Sequence, residues 1–295
     1  MRPLRSLVAL SRPAGLPTVW SNCLAGWWLG DGGNSQRLPF LFAGATLIYL
    51  GGTWLSDAFA NGPRAVPGSQ RLPMPERCEP GTARGPAAEG GAALAVQGWG
   101  VLLLVLGAAA LFWVSTAAGA FGLALAMLII LCHVVRRLAA YSFLLPALCR
   151  LLIYLIAASA GMTGPIGGAI WCGLALAMYV LGVEAVPRQE HRAGSARYWP
   201  VLLLATPIFL ALIMDDGERR EAGLLLSAVL ALWTVRCLRP ALWSQAKDFA
   251  NAVPGLVAGI VFVDLLAAAS APKGISLAFL LLFGLTRLLQ RYRPA

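Results

Sequence analysis

The chain has 295 residues, of which 59% are hydrophobic and 12% charged, with a net charge of +10. Soluble domains carry about 25% charged residues, so with a mean hydropathy of +0.73 the apolar excess must face lipid. The basic residues are spread among loops, which excludes a nucleic-acid partner; six cysteines without a CxxC pair and two histidines exclude a zinc site.

Crossing a bilayer takes about 20 apolar residues per helix. Spans are expected near 14–31, 38–59, 92–113, 117–135, 141–162, 166–186, 199–214, 222–238, 251–270 and 275–290. Only Ala271–Gly274 separates the last two, so the expected fold is an all-α polytopic bundle of nine or ten transmembrane helices, as a single domain over 1–295. The first apolar run lacks a small-residue cleavage site and reads as a span, not as a signal peptide.

Basic residues accumulate on the inner side of a membrane. With ten spans and the N-terminus inside, 18 of the 23 Lys and Arg fall on inner segments, four on outer ones, and Arg150 lies within a span. That bias places the N-terminus and two unusual loops in the cytoplasm, with the protein in a bacterial inner membrane. The loop 60–91 is long and proline-rich, and the loop 187–198 is short and highly charged. Each follows a helix that ends in an acid, Asp57 or Glu184.

Ionisable groups inside spans are costly and usually functional. Asp57, Arg150, Glu184 and Asp264 are of this kind. Arg150 is too deep to snorkel easily. It needs either an acidic partner, with Glu184 and Asp264 as candidates, or an anionic ligand in a cavity. Asp264 reads equally as an interhelix hydrogen-bonding group. The tryptophans near span ends fit an interfacial belt.

Several stretches resemble the UbiA-type intramembrane prenyltransferases. RPAGLPTVWSNCLAGWWLG is similar to the opening of bacterial members, with Arg12 before the first span and Asn22 within it. GGTWLSDAFANGPRA falls in register on the first family motif, Asn-Asp-x-x-Asp-x-x-x-Asp, and Arg71 of RLPMP falls on the arginine of the segment that follows it. LCRLLIYLIAASAG and YVLGVEAVPRQEHRAGS resemble the fifth span and second-motif region of one bacterial branch. The resemblance covers essentially the whole chain.

It implies a helical bundle around a central cavity, and transfer of an isoprenoid from a prenyl diphosphate to a small aromatic or related acceptor with Mg²⁺. By this resemblance Asp57, Glu184 and Glu190 are catalytic, with Asp57 and Glu184 on the metal. Arg64, Arg71, Arg136, Arg137, Arg150 and Arg188 bind diphosphate, and Asn22, Ser56, Asn61 and Tyr154 line the cavity. The chemistry suits the pattern: Mg²⁺ takes one or two carboxylates plus phosphate oxygens, arginines stabilise the departing charge, and an apolar cavity keeps the allylic cation from water. The chain departs from the motif at three positions. Ser56 replaces its asparagine, and Ala60 and Arg64 replace two of its aspartates. A relative that holds an isoprenoid lipid, or scaffolds a pathway partner, without turnover is therefore the alternative. A transporter with Arg150 on an anion path is a third reading.

Overall fold

The computed structural model describes residues 15–33, 35–61, 86–135, 144–189, 198–214, 218–242 and 249–291. Among them the regular structure is entirely helical. The helices are α1 (Leu16–Leu29), α2 (Leu38–Asn61), α3 (Pro86–Val114), α4 (Thr116–Val135) and α5 (Leu144–Ala158), then α6 (Gly167–Ala185), α7 (Trp199–Met214), α8 (Glu218–Leu242), α9 (Phe249–Ala267) and α10 (Lys273–Arg291). Single 3₁₀ turns precede α2 and follow α6. Five of these helices, α2, α3, α6, α8 and α10, contain stretches long and apolar enough to cross a membrane; α4, α5, α7 and α9 contain shorter apolar stretches.

Each apolar stretch of the sequence carries one helix, and the differences lie in the turns. In the stretch read as 141–162 the helix ends at Ala158, because Gly161, Gly164 and Pro165 turn the chain after it. Gly164 sits at φ 72°, a conformation that favours glycine. The closing residues 249–291 form two helices, not one: Ala271 N–H bonds back to the Ala268 carbonyl, and a new helix starts after Pro272. Ser115 breaks α3 from α4. Its hydroxyl accepts from the Ala118 amide at 3.0 Å, an N-cap arrangement, and donates to the Ser159 carbonyl at 2.9 Å.

Lipid tails offer no hydrophobic gain for pairing helices, so close packing of small residues does much of that work. In α2 and α3 this takes the form of matched glycines seven residues apart. A Cβ at Gly51 would stand 2.7 Å from the Gly100 carbonyl oxygen, and one at Gly107 2.9 Å from that of Gly44. The two backbones therefore touch at two levels, in antiparallel register. Along α1, Gly26 meets the Tyr154 carbonyl and Ala157, and Gly30 meets Ala158, so α1 and α5 run parallel in equally close contact.

These contacts set the direction of each helix. Trp20 Nε1 donates to Thr46 Oγ1 at 3.0 Å, and Gly15 lies against the Tyr49 hydroxyl, making α2 antiparallel to α1. The hairpin at Ser115 returns α4 alongside α2, where Gly52 meets Ile129. The turn at 159–166 makes α6 antiparallel to α5, and Gly182 beside Pro200 and Leu204 starts α7 at the end of α6. Tyr179 beside Leu256 and Gly259 sets α9 against α6; Gln290 bonded to the Pro254 carbonyl at 2.8 Å sets α10 against α9. Hence the C-terminal ends of α2, α4, α6 and α10 share one face with the N-terminal ends of α1, α5, α7 and α9. We call it the proximal face.

Two apolar cores fill the bundle. One joins α1 to α5, around Val19, Cys23, Leu41, Ile48, Leu111 and Leu125. The other joins α5 to α10, with Ala25 of α1, around Tyr154, Tyr179, Leu204, Leu230, Leu256 and Phe279. Helices α1 and α5 belong to both.

Candidate functional site

A polar cluster lies on that shared pair of helices. Helix α1 presents Thr18, Ser21 and Asn22 on one stripe, since residues three and four apart share a helical face. All three are buried. Helix α5 contributes Arg150 and, one turn later, Tyr154. Helix α9 contributes Asp264, which is fully buried.

The hydrogen bonds run in one direction. Arg150 Nη1 donates to Asn22 Oδ1 at 2.6 Å, and Nη2 donates to Thr18 Oγ1 at 2.8 Å. The Thr18 hydroxyl passes its own proton to the Gly15 carbonyl at 2.7 Å. Asn22 Nδ2 donates to Asp264 Oδ2 at 2.7 Å, and the Ser21 hydroxyl donates to the same oxygen at 2.5 Å. The chemistry settles the orientation of the Asn22 amide. A guanidinium only donates and a carboxylate only accepts, so Oδ1 must face Arg150 and Nδ2 must face Asp264. The amide thus bridges a positive and a negative charge inside the bundle.

The Tyr154 hydroxyl is a neighbour of the same carboxylate. Its oxygen and Asp264 Oδ1 are the buried atoms of the cluster without a hydrogen bond. The phenol is therefore placed to supply a third donor to Asp264. Ser21 and Asn22 thus hold one oxygen of the acid, with Tyr154 as a neighbour and Arg150 beyond Asn22.

Of the two readings of Arg150, this arrangement meets the need for an acidic partner: the partner is Asp264, reached through Asn22. Glu184 lies at the far end of α6, exposed, with Arg188 beside it on the following 3₁₀ turn. Asn22 and Tyr154, expected to line a cavity, are fully buried and packed within the cluster. Thr18 and Ser21 were not singled out from the sequence. Their signal was the spacing of small polar residues at 18, 21 and 22 in an otherwise apolar run.

The remaining expected residues gather at the proximal face or lie outside the described residues. Asp57 and Asn61 belong to the last turns of α2, where the backbone is described; Ser56, one turn from that end, is half-buried. Glu184 and Arg188 stand at the end of α6. Arg64, Arg71, Arg136, Arg137 and Glu190 lie outside the described residues, in 62–85, 136–143 and 190–197. The helix ends that flank these three segments are all on the proximal face.

Among the described residues no group of three His, Cys, Asp or Glu side chains stands close enough to enclose a metal ion. Mg²⁺ does not require such a cage, because it binds through one or two carboxylates together with substrate phosphates. An exposed carboxylate at a helix end, as at Glu184, fits that requirement. A small apolar recess lies apart from the polar cluster, between α6, α7 and α9, bordered by Cys172, Pro207, Met214 and Leu266.

The chain matches no family model, no curated protein and no solved structure. Among the described residues, an all-helical architecture with helices apolar enough to cross a membrane, and the polar cluster on α1, α5 and α9, are what the fold itself defines.

Proposed function

We propose that this chain is a membrane prenyltransferase of UbiA-like build, with nine or ten spans around a substrate cavity and with the proximal face cytoplasmic. It would move an isoprenoid group from a prenyl diphosphate to a small aromatic or related acceptor. One observation carries the reading: the helix ends that bear or flank every acid and arginine of the two motif regions lie on a single face. A water-soluble diphosphate and a lipid-soluble tail need such a boundary, polar at the mouth and apolar within.

In this reading Arg64, Arg71, Arg136, Arg137 and Arg188 hold the diphosphate and stabilise its departing charge. Asp57 and Glu184 hold Mg²⁺, with Glu190 assisting. The metal supplies neutralisation of the diphosphate when bound. The apolar interior keeps water from the allylic cation until the acceptor captures it. Arg150, six residues into α5, is about 9 Å below that face and holds Asn22 in place.

Ala60 and Arg64, standing where the motif carries aspartates, favour a second reading, a protein that holds an isoprenoid diphosphate without turning it over. Titration of the detergent-purified chain with labelled farnesyl, geranylgeranyl and longer prenyl diphosphates, with and without Mg²⁺, separates the two. Saturable binding followed by diphosphate release supports the transferase. Binding without release assigns the holding role, and no binding of any prenyl diphosphate removes both.

A further inference from the structure

A fixed cation stands where α8, α9 and α10 meet near the proximal face. Trp233 meets Phe262 and Cys237 meets Gly255, so α8 runs antiparallel to α9 and its C-terminal end joins that face. Trp233 of α8, Phe262 of α9 and Phe283 of α10 form one aromatic group, with ring centroids 5.1 Å apart for Trp233 and Phe283 and 4.4 Å for Phe262 and Phe283. Trp233 Nε1 donates to the Gly255 carbonyl at 2.9 Å, which fixes the indole. The Arg287 guanidinium stands over that ring, 5.5 Å from its centroid, and donates through Nη1 to Gln290 Oε1 at 3.0 Å. Gln290 is itself anchored, since its Nε2 donates to the Pro254 carbonyl at 2.8 Å. A guanidinium only donates and a carbonyl only accepts, so the amide has the orientation its two partners require.

These neutral partners fix the cation without neutralising it. Arg287 lies four residues, about 6 Å along the axis, before Arg291, the last described residue of α10, within a stretch apolar enough to cross a membrane. Leu288 beside it, and Leu232 and Val235 on α8, are exposed, as lipid-facing residues are. An arginine at this depth ordinarily extends its stem towards water. Here an uncharged ring and an uncharged amide hold the guanidinium back, and a charge kept at this depth calls for an anion. Arg236, exposed and one turn beyond Trp233, neighbours the Cys237 thiol, as does Arg287; Arg291 is exposed on the same face of α10 as Arg287. A bias of basic residues to one membrane side accounts for Arg236 and Arg291. It does not account for a guanidinium tied down against an indole.

We propose that Arg287, with Arg236 and Arg291, binds the phosphate of an anionic membrane lipid whose chains lie over Phe283 and the exposed apolar residues of α8 and α10. The planar guanidinium fork matches phosphate oxygens. The apolar flanks select a lipid over a soluble anion, because a lipid brings its phosphate to this depth attached to chains that these side chains cover. A zwitterionic lipid offers the same phosphate with a cation beside it, which three arginines repel. The site uses none of the residues assigned to the prenyl diphosphate and does not rest on that assignment.

The test uses the full chain, freed of lipid in detergent and titrated with phosphatidylglycerol while native mass spectrometry counts the bound lipids. The parent is expected to prefer phosphatidylglycerol to phosphatidylcholine. Arg287→Gln is expected to lose about fivefold in phosphatidylglycerol affinity, the worth of one arginine at an anionic surface. Arg220→Gln, at the opposite end of α8, is the control and is expected to bind as the parent does. Equal binding of the two lipids by the parent, an unchanged affinity in Arg287→Gln, or an equal loss in Arg220→Gln would overturn the proposal. So would displacement of the lipid by millimolar inorganic phosphate, which would make the ligand a soluble anion. A second measurement needs no variant: phosphatidylglycerol carrying a diazirine high on one acyl chain is photolysed in nanodiscs that hold the parent chain. Adducts are expected to concentrate at 232–236 and 283–288, and adducts spread evenly over the lipid-facing helices would overturn the site.

Discussion

Replacing Gly51 with alanine tests the packing of α2 on α3, and Gly98 in the same helix pair supplies the control. A Cβ at Gly51 would stand 2.7 Å from the Gly100 carbonyl oxygen and 3.0 Å from the Leu104 amide nitrogen. Both are backbone atoms and cannot turn aside. Ordinary contact distances require the helices to separate by about 0.7 Å at this level, and the second glycine layer, at Gly44 and Gly107, has to follow. A Cβ at Gly98 meets nothing within 4 Å. Both substitutions gain the same helix propensity, about 1 kcal/mol, so their difference isolates the steric term. Overpacking costs about 1–3 kcal/mol, and Gly51→Ala is expected to be less stable than Gly98→Ala by that amount. The assay is reversible unfolding in mixed micelles, titrated with sodium dodecyl sulfate and followed by circular dichroism. Equal midpoints for the two variants would refute the backbone contact between α2 and α3.

Three further outcomes follow from the same structure. Asp264→Leu leaves the Arg150 charge uncompensated and is expected to cost about 3–5 kcal/mol in the same assay; adding Arg150→Met should recover most of that loss. Ser115→Ala removes the cap of α4 together with the bond to the Ser159 carbonyl and is expected to cost about 1–2 kcal/mol by unfolding titration. Single cysteines at Arg188 and Thr163, on opposite ends of the α5–α6 hairpin, should react with an impermeant maleimide from opposite sides of sealed vesicles; reaction from one side only would contradict the helix directions.

Much of the fold was legible because hydropathy reports helix position directly: every apolar stretch became a helix. The turns were less legible. Ala160 and Met162 are apolar, so a hydropathy reading extends the helix through them, whereas Gly161, Gly164 and Pro165 end it on backbone grounds. Helix pairing could be anticipated only as a need. Arg150 and Asp264 each announced a missing partner, since a charge in an apolar run has few alternatives. That they meet through Asn22, and not directly or through Glu184, depends on the rotation of α1, α5 and α9 about their axes. That rotation is set by the glycine contacts at Gly26 and Gly30, which bring α1 close enough for a short amide to bridge. The proximal grouping of Asp57, Glu184 and Arg188 followed from the charge bias and from the alternation of helix directions.

Whether the proximal face performs the proposed chemistry on a prenyl diphosphate is decided by the rate of diphosphate release from labelled geranylgeranyl diphosphate by the purified chain. Mg²⁺-dependent release is expected, falling at least a hundredfold in Asp57→Ala and in Glu184→Ala, with both variants retaining the unfolding midpoint of the parent. Release that persists in both variants, or that is indifferent to Mg²⁺, would contradict that chemistry.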